Sequence, residues 1–211
     1  MTPFEEIKQG SDEWFGVRLG RVTASRVADV IAKTKSGYSA SRATYMAELI
    51  VERLTGKRVD SFVSSAMMWG TNTEPMARAA FESLTGELVQ EVGFVPHHSI
   101  PMAGASPDGL IGLNGLIEIK CPNTATHIET LLSKEVAPKY VTQMQWQMAC
   151  AVAEHCDFVS YDPRMPEGMQ LFTKRVFRDD DVIAELEKEV SKFLDEIEDK
   201  IMRLMTPDGE L

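Results

Sequence analysis

Asp108, Glu118 and Lys120 are, by type and spacing, the residues a phosphodiester hydrolase would need. Pro107-Asp108-Gly109 is a turn signal, and nine residues separate Asp108 from Glu118-Ile119-Lys120. The run from Ile117 to Lys120 alternates apolar and charged positions. As a strand it puts Glu118 and Lys120 on one face and both isoleucines on the other. Two carboxylates suit Mg²⁺, which engages one or two of them, keeps several waters and takes a further oxygen from a substrate phosphate. The amine beside them would position or deprotonate the attacking water and offset charge in the transition state. The same spacing also fits a plain hairpin whose charged residues are solvated neighbours.

At these residues the chain resembles the PD-(D/E)xK nuclease superfamily. The strings SPDG at 106–109 and IEIKCP at 117–122 are similar to its phage lambda exonuclease branch, the YqaJ-type viral recombinases. That resemblance implies a restriction-endonuclease-like α/β core and a Mg²⁺ site, with Mn²⁺ as a substitute. Asp108, Glu118 and the backbone carbonyl of Ile119 would hold the metal, and Lys120 would handle the water.

The elements that must position these groups follow from caps and periodicity. Ser11-Asp12-Glu13-Trp14 is a helix start, with Trp14 and Arg18 one turn apart and Gly20 at the end. Thr23-Ala24-Ser25 then opens a second helix through Val27, Val30 and Ile31, with Thr23 or Ser25 as the expected cap. A hydroxyl and an arginine at a helix start suit a terminal phosphate, and equally a plain capped helix. Trp14, Arg18, Leu19, Gly20, Thr23, Ala24 and Ser25 match the family's W…RLG..TAS pattern. This implies that Arg18 and Ser25, beside Trp14, hold the 5′-phosphate of the digested strand. Residues 33–37 read as a basic loop, where the resemblance places a duplex contact near Lys35.

Residues 38–55 form a helix by period, with Tyr45, Met46, Leu49, Ile50 and Leu54 on one face and Gly56 as terminator. A second helical pattern spans 64–84, but Pro75 lies inside it, so a break at 70–74 is expected. Glu74 would then stand at a helix mouth, where a lone acid commonly compensates the dipole. The family's WG…E pattern, here Trp69-Gly70 and Glu74, implies instead that it points into the active site. Met67 matches the position of an apolar wedge that parts terminal base pairs, although methionine there is also ordinary core packing.

Two strands are expected at 88–95 and 100–105, flanking a loop with His97 and His98; exposed loop histidines are the better reading than metal ligands. A helix over 138–152 carries Tyr140, Val141, Met144, Met148 and Val152 on one side, with Gln143 and Gln147 four residues apart on another. Such glutamines normally form a solvated stripe; the superfamily's Y..Q.Q string implies that Gln143 approaches the attacking water or the scissile phosphate. Strands at 158–161 and 169–177 are joined by Asp162-Pro163-Arg164, part of a YDPRM string that also resembles the family. Asp179 to Asp181 start a long amphipathic helix through Leu204, which covers the sheet by default or else a neighbouring subunit.

Composition supports one domain over residues 1–211: a helical DNA-end-binding part at about 1–86, a nuclease core at about 87–178 and a C-terminal helix at about 179–205. The element order predicts an α/β fold with a central mixed sheet of about five strands flanked by helices. Three cysteines without metal-site spacing indicate reduced thiols. No apolar run approaches a membrane span, and the N-terminus lacks a signal-peptide pattern, so a cytoplasmic protein is expected. With 22 basic and 32 acidic residues the net charge is −10, which argues against coating nucleic acid by bulk attraction. Any basic groove is expected among the cations of the first 60 residues.

Taken with the resemblance, this implies a Mg²⁺-dependent 5′-to-3′ exonuclease on linear double-stranded DNA ends. Similar proteins form a homotrimeric ring, act with a single-strand annealing protein in recombination, and are encoded by phages or prophages in bacterial hosts. An endonuclease on the same scaffold and a catalytically silent DNA-end binder are the competing expectations.

Overall fold

The computed structural model describes residues 6–59 and 64–206. Helix α1 (Asp12–Arg18) is capped by Ser11, whose Oγ accepts from the Trp14 N–H at 3.2 Å. A short strand β1 (Val22–Thr23) and a 3-10 turn (Ala24–Arg26) come before α2 (Val27–Ile31). The expected cap is absent: neither Thr23 nor Ser25 makes a side-chain capping bond. The backbone here is committed elsewhere, with Val22 and Thr23 paired in parallel to Ala103 and Gly104 and the Thr23 N–H donated to Tyr45 Oη at 3.2 Å.

The expected basic loop is a hairpin of β2 (Lys33–Thr34) and β3 (Gly37–Tyr38), with Lys35 exposed in its turn. Helix α3 (Ala40–Thr55) runs between its cap Ser39 and the left-handed Gly56. Helix α4 (Ser65–Thr85) is unbroken through Gly70 and Pro75, contrary to the expected interruption. Pro75 removes only the donor to the carbonyl of Thr71, an exposed residue where water can replace it, while Ala77 and Phe81 anchor the helix in the core. Glu74 therefore lies within a helix and not at its mouth.

Residues 88–105 form three short strands where two were expected: β4 (Val89–Gln90), β5 (Val95–Pro96) and β6 (Ala103–Ala105). The chain changes sheet between β4 and β5. His97 is buried, against expectation, stacked 4.9 Å from the Trp146 ring, with Nε2 3.2 Å from Glu187 Oε1; His98 is exposed. The remaining elements are β7 (Gly109–Ile111), β8 (Gly115–Lys120), α5 (Thr124–Ser133), α6 (Pro138–Ala151), β9 (His155–Tyr161), β10 (Leu171–Phe177) and α7 (Asp180–Met205).

The main sheet has five strands in the order β10-β9-β8-β7-β4; β8 and β9 are parallel and the other pairs antiparallel. This is the mixed sheet with flanking helices that the element order predicts. A second sheet, β1-β6-β5, packs with α2, α3, α6 and α7 around Trp146, Val190 and Phe193. Helix α4 covers one face of the main sheet, where Ala77 and Phe81 meet Ile117, Ile119 and Val159. Helix α6 covers the other, where Met144 and Met148 meet Leu116 and Phe158. The alternation along β8 thus turns both isoleucines toward α4 and Glu118 toward α6.

Candidate active site

Glu118 is 1% exposed, and burying a carboxylate costs several kcal/mol unless its oxygens find donors. Helix α6 and the same strand provide them. Oε1 accepts from Gln143 Nε2 at 2.7 Å and from Lys120 Nζ, and Oε2 accepts from Gln147 Nε2 at 2.6 Å. Gln145 faces the other way, donating to the Phe177 carbonyl and accepting from the Asp179 N–H. Gln145 and Gln147 are buried and Gln143 half-buried, all of them bonded, so they are not the solvated stripe that their spacing would usually make.

Asp108 arrives from the turn before β7, and its Oδ2 accepts from the Ile119 N–H at 2.6 Å. This bond fixes the turn against β8 next to Glu118. The next residue must be small: a Cβ on Gly109 would come within 2.3 Å of Val89 Cγ1 and 3.2 Å of the Gln90 carbonyl. Glu74 reaches the same place from α4 and is held by Arg78, whose Nη2 donates to Glu74 Oε1 at 2.7 Å while Nη1 pairs with Glu91. Glu74, Asp108, Ile119 and Lys120 line one open cavity of about 790 Å³.

The electrostatics follow from crowding carboxylates in a partly dry site. Burial first, and then the Glu118 charge, push the Asp108 carboxyl well above its usual range. Burial also raises Glu74, against the pull of Arg78. For Lys120, burial favours the neutral amine, but Glu118 and Asp108 outweigh it and raise its pKa, so the side chain is an ammonium.

The donors that would hold a divalent cation are Asp108, Glu118 and the Ile119 carbonyl. Among the described residues no group of three or more His, Cys, Asp or Glu side chains is arranged to chelate one. Two carboxylates completed by backbone, water and substrate are what Mg²⁺ chemistry requires. The fit rests on two features: Asp108 Oδ1 has no hydrogen bond among the described residues, and two adjacent acids face a single ammonium.

A second cavity, of about 540 Å³, contains Trp14, Arg18 and Ser25, and Met67 lines both cavities. Met67 is 53% exposed and so is not a core residue. The Arg18 guanidinium lies 4.1 Å over the Trp14 ring, and both side chains donate to Ser106 Oγ, at 2.9 Å from Arg18 Nη1 and 3.0 Å from Trp14 Nε1. Burial lowers the Arg18 pKa to about 10, so the guanidinium is a poorly hydrated cation at this cavity. Ser25 is exposed at the same cavity. Lys35 lies in the β2–β3 turn and lines neither cavity.

A model of the YqaJ-like viral recombinase domain matches residues 13–154. The chain belongs to that family. Among solved structures, this YqaJ-like protein is similar to the alkaline exonuclease LHK-Exo from Laribacter hongkongensis, at 56% identity and a TM-score of 0.87 over 92% of this chain and 96% of that one. The same values hold for LHK-Exo in complex with dAMP. A phage-related exonuclease from Haemophilus somnus 129PT shares the fold, at 16% identity and a TM-score of 0.70 over 88% of this chain and 96% of that one. No curated protein matches. The five-stranded sheet presenting Asp108 and Glu118-Ile119-Lys120 is accordingly a PD-(D/E)xK core.

Three residues of the YqaJ-like site escape a reading of the sequence. Arg78, which holds Glu74, stands four positions from it, a spacing that could have flagged the pair. Gln147 has the same relation to Gln143, but its contact with Glu118 depends on how α6 packs. Ser106 gives no local signal, because its partners lie 88 and 92 positions away.

Proposed function

We propose that this chain, a deoxyribonuclease of the lambda exonuclease type, digests one strand of linear duplex DNA from a 5′-phosphorylated end in a Mg²⁺-dependent reaction. The product is a 3′ single strand for recombination by strand annealing. The supporting observation is that two cavities lie side by side. Met67 forms part of both walls, and Ser106 binds Trp14 and Arg18 only two residues before Asp108. A terminal phosphate beside Arg18 and Ser25 would bring a nearby phosphodiester to Asp108, Glu118 and Lys120.

When bound by Asp108, Glu118 and the Ile119 carbonyl, Mg²⁺ supplies Lewis-acid polarisation of the phosphoryl oxygen. The chain's own groups do the remainder. Lys120, held close to Glu118 and Asp108, orients the attacking water and offsets charge on the phosphoryl oxygens. Gln143 and Gln147 fix the Glu118 carboxylate, and Gln143 lies nearer the exposed side. Arg78 holds Glu74 at the cavity wall. Met67, exposed and part of both cavity walls, would part the terminal base pairs. Assembly as a homotrimeric ring and coupling to a single-strand annealing protein belong to the same reading.

Linear duplex labelled at either end, and bearing 5′-phosphate or 5′-hydroxyl termini, tests the proposal with Mg²⁺. Nucleotides should leave from the phosphorylated 5′ end, and both Glu118→Gln and Lys120→Ala should abolish turnover while end binding persists. Cutting of closed circular duplex, or release from 3′ ends, would overturn it.

A further inference from the structure

A second cation is built into the wall of the active-site cavity. Arg164, in the turn after β9, lines the same space as Asp108 and Lys120. Its Nε donates to Asp162 Oδ1 at 2.7 Å, and its Nη2 donates to Asp162 Oδ2 at 2.9 Å and to the Pro122 carbonyl at 3.3 Å. The guanidinium carbon lies 4.4 Å above the Trp69 ring. Asp162 is itself fully buried and accepts from Thr124 Oγ1 at 2.6 Å. Burial opposes its charge, but the bonds from Arg164 and Thr124 prevail and hold its carboxyl down at about 2.

The Arg164 side chain is 47% exposed beside a fully buried Asp162, so pairing with that acid leaves part of it open. A guanidinium carries five N–H donors. Those on Nε and Nη2 are engaged, and the two on Nη1 have no partner among the described residues. One edge of the fork is therefore clamped, and the other is left unpaired on a side chain that lines the cavity. The Pro122 contact also sets its position, because Pro122 is two residues beyond Lys120 and the chain spans at most roughly 7 Å over that interval. A planar cation, immobilised in advance on the wall of the cavity that Lys120 also lines, is suited to a phosphodiester.

We propose that Arg164 binds the backbone phosphate adjoining the cleaved linkage on the strand that enters the active site. The inference rests on the nuclease reading above and extends it to a second phosphate. Such a contact is indifferent to base identity, and it holds the strand in register while the neighbouring linkage is cut. A purely structural role for Arg164, closing the turn against α5, would act on stability and leave the salt dependence of DNA binding unchanged.

Arg164→Gln is compared with wild type and with Asp162→Asn/Arg164→Gln, which avoids stranding the buried carboxylate. Two readouts are taken over a range of NaCl: KM and kcat on 5′-phosphorylated linear duplex with Mg²⁺, and binding of the same duplex by fluorescence anisotropy without added metal. Both variants should raise KM and Kd about tenfold, the loss of one charge-assisted contact, with kcat within about twofold. The slope of log Kd against log salt should fall by about 0.9, one phosphate's worth. An unchanged slope in both variants overturns the proposal, including when activity falls in step with the melting temperature. A wild type that binds duplex ends without cleaving them would refute the nuclease reading, while the slope comparison would still decide the role of Arg164.

Discussion

Replacing Gln147 with methionine separates the stability of this site from its chemistry. Gln147 is fully buried; its Nε2 donates to Glu118 Oε2 at 2.6 Å, while its Oε1 has no hydrogen-bond partner among the described residues. The substitution removes both features at nearly constant volume. Losing a hydrogen bond to a carboxylate costs about 1.5–3 kcal/mol, and eliminating an unpaired buried amide oxygen returns about 1–3 kcal/mol. The second term offsets much of the first, so unfolding free energy should fall by no more than about 2 kcal/mol. Catalysis has no such compensation. Glu118 keeps Gln143 and Lys120 on Oε1 but loses its only protein donor on Oε2 among the described residues. Loss of a partner that orients a metal ligand typically costs about 10–100-fold in metal affinity or activity. Urea denaturation and a Mg²⁺ titration of the initial rate on linear duplex read the two quantities on one preparation. A rate and Mg²⁺ midpoint within twofold of wild type would refute the assigned role of Gln147. A stability loss above about 3 kcal/mol would refute the offset.

Three further outcomes follow from the same geometry. Arg18→Ala should lower kcat/KM on 5′-phosphorylated ends by about tenfold or more and leave 5′-hydroxyl ends unchanged, erasing the preference between them; parallel assays of the two substrates decide it. Arg42 is 5% exposed and bonds Glu196 at 2.8 and 3.0 Å and the Val30 carbonyl at 3.1 Å, so Arg42→Ala should cost about 3 kcal/mol in urea, toward the low end for a buried pair because Glu196 is partly exposed. A loss below about 1 kcal/mol would show that this pair does not brace α3 against α7. Asp162 is lowered from an ordinary 3.8 to about 2 in the folded protein, so the unfolded chain takes up the proton first as pH falls. Its stabilisation should be complete above about pH 4 and disappear between there and pH 2, and calorimetry across that interval should show a shallower decline for Asp162→Asn.

The parts of the site that could be read from sequence are those held by local periodicity. Alternation along β8 places Glu118 and Lys120 together, and the caps at Ser11, Gly56 and Asp179 mark helix boundaries because capping is a property of a few adjacent residues. The misreadings arise where tertiary burial overrides a local preference. Pro75 argues for a break, yet the buried Ala77 and Phe81 hold α4 together across it. The two-residue strand at Val22 exists only because Ala103 lies alongside, and neither segment announces the other. His97 reads as loop and is buried because Trp146, far along the chain, stacks on it.

The charge distribution explains how so acidic a chain can act on a polyanion. The first 60 residues carry a large share of the positive charge, but much of it is internally paired. Arg26 pairs with Asp29 and Glu48, while Lys33, Arg42 and Arg53 pair with Glu189, Glu196 and Glu198 of α7. The acidic helix thus takes up cations that would otherwise attract DNA without regard to position. Arg18, at the cavity beside Trp14, and Arg164 and Lys120, at the cavity that Asp108 lines, are different, because each is fixed in orientation by stacking or by a buried acid. Long-range attraction falls off within about 10 Å at ordinary salt, whereas a preorganised contact acts only on a phosphate already in place. Binding should accordingly be weak along the duplex and concentrated at its ends, as an enzyme that starts from a terminus requires.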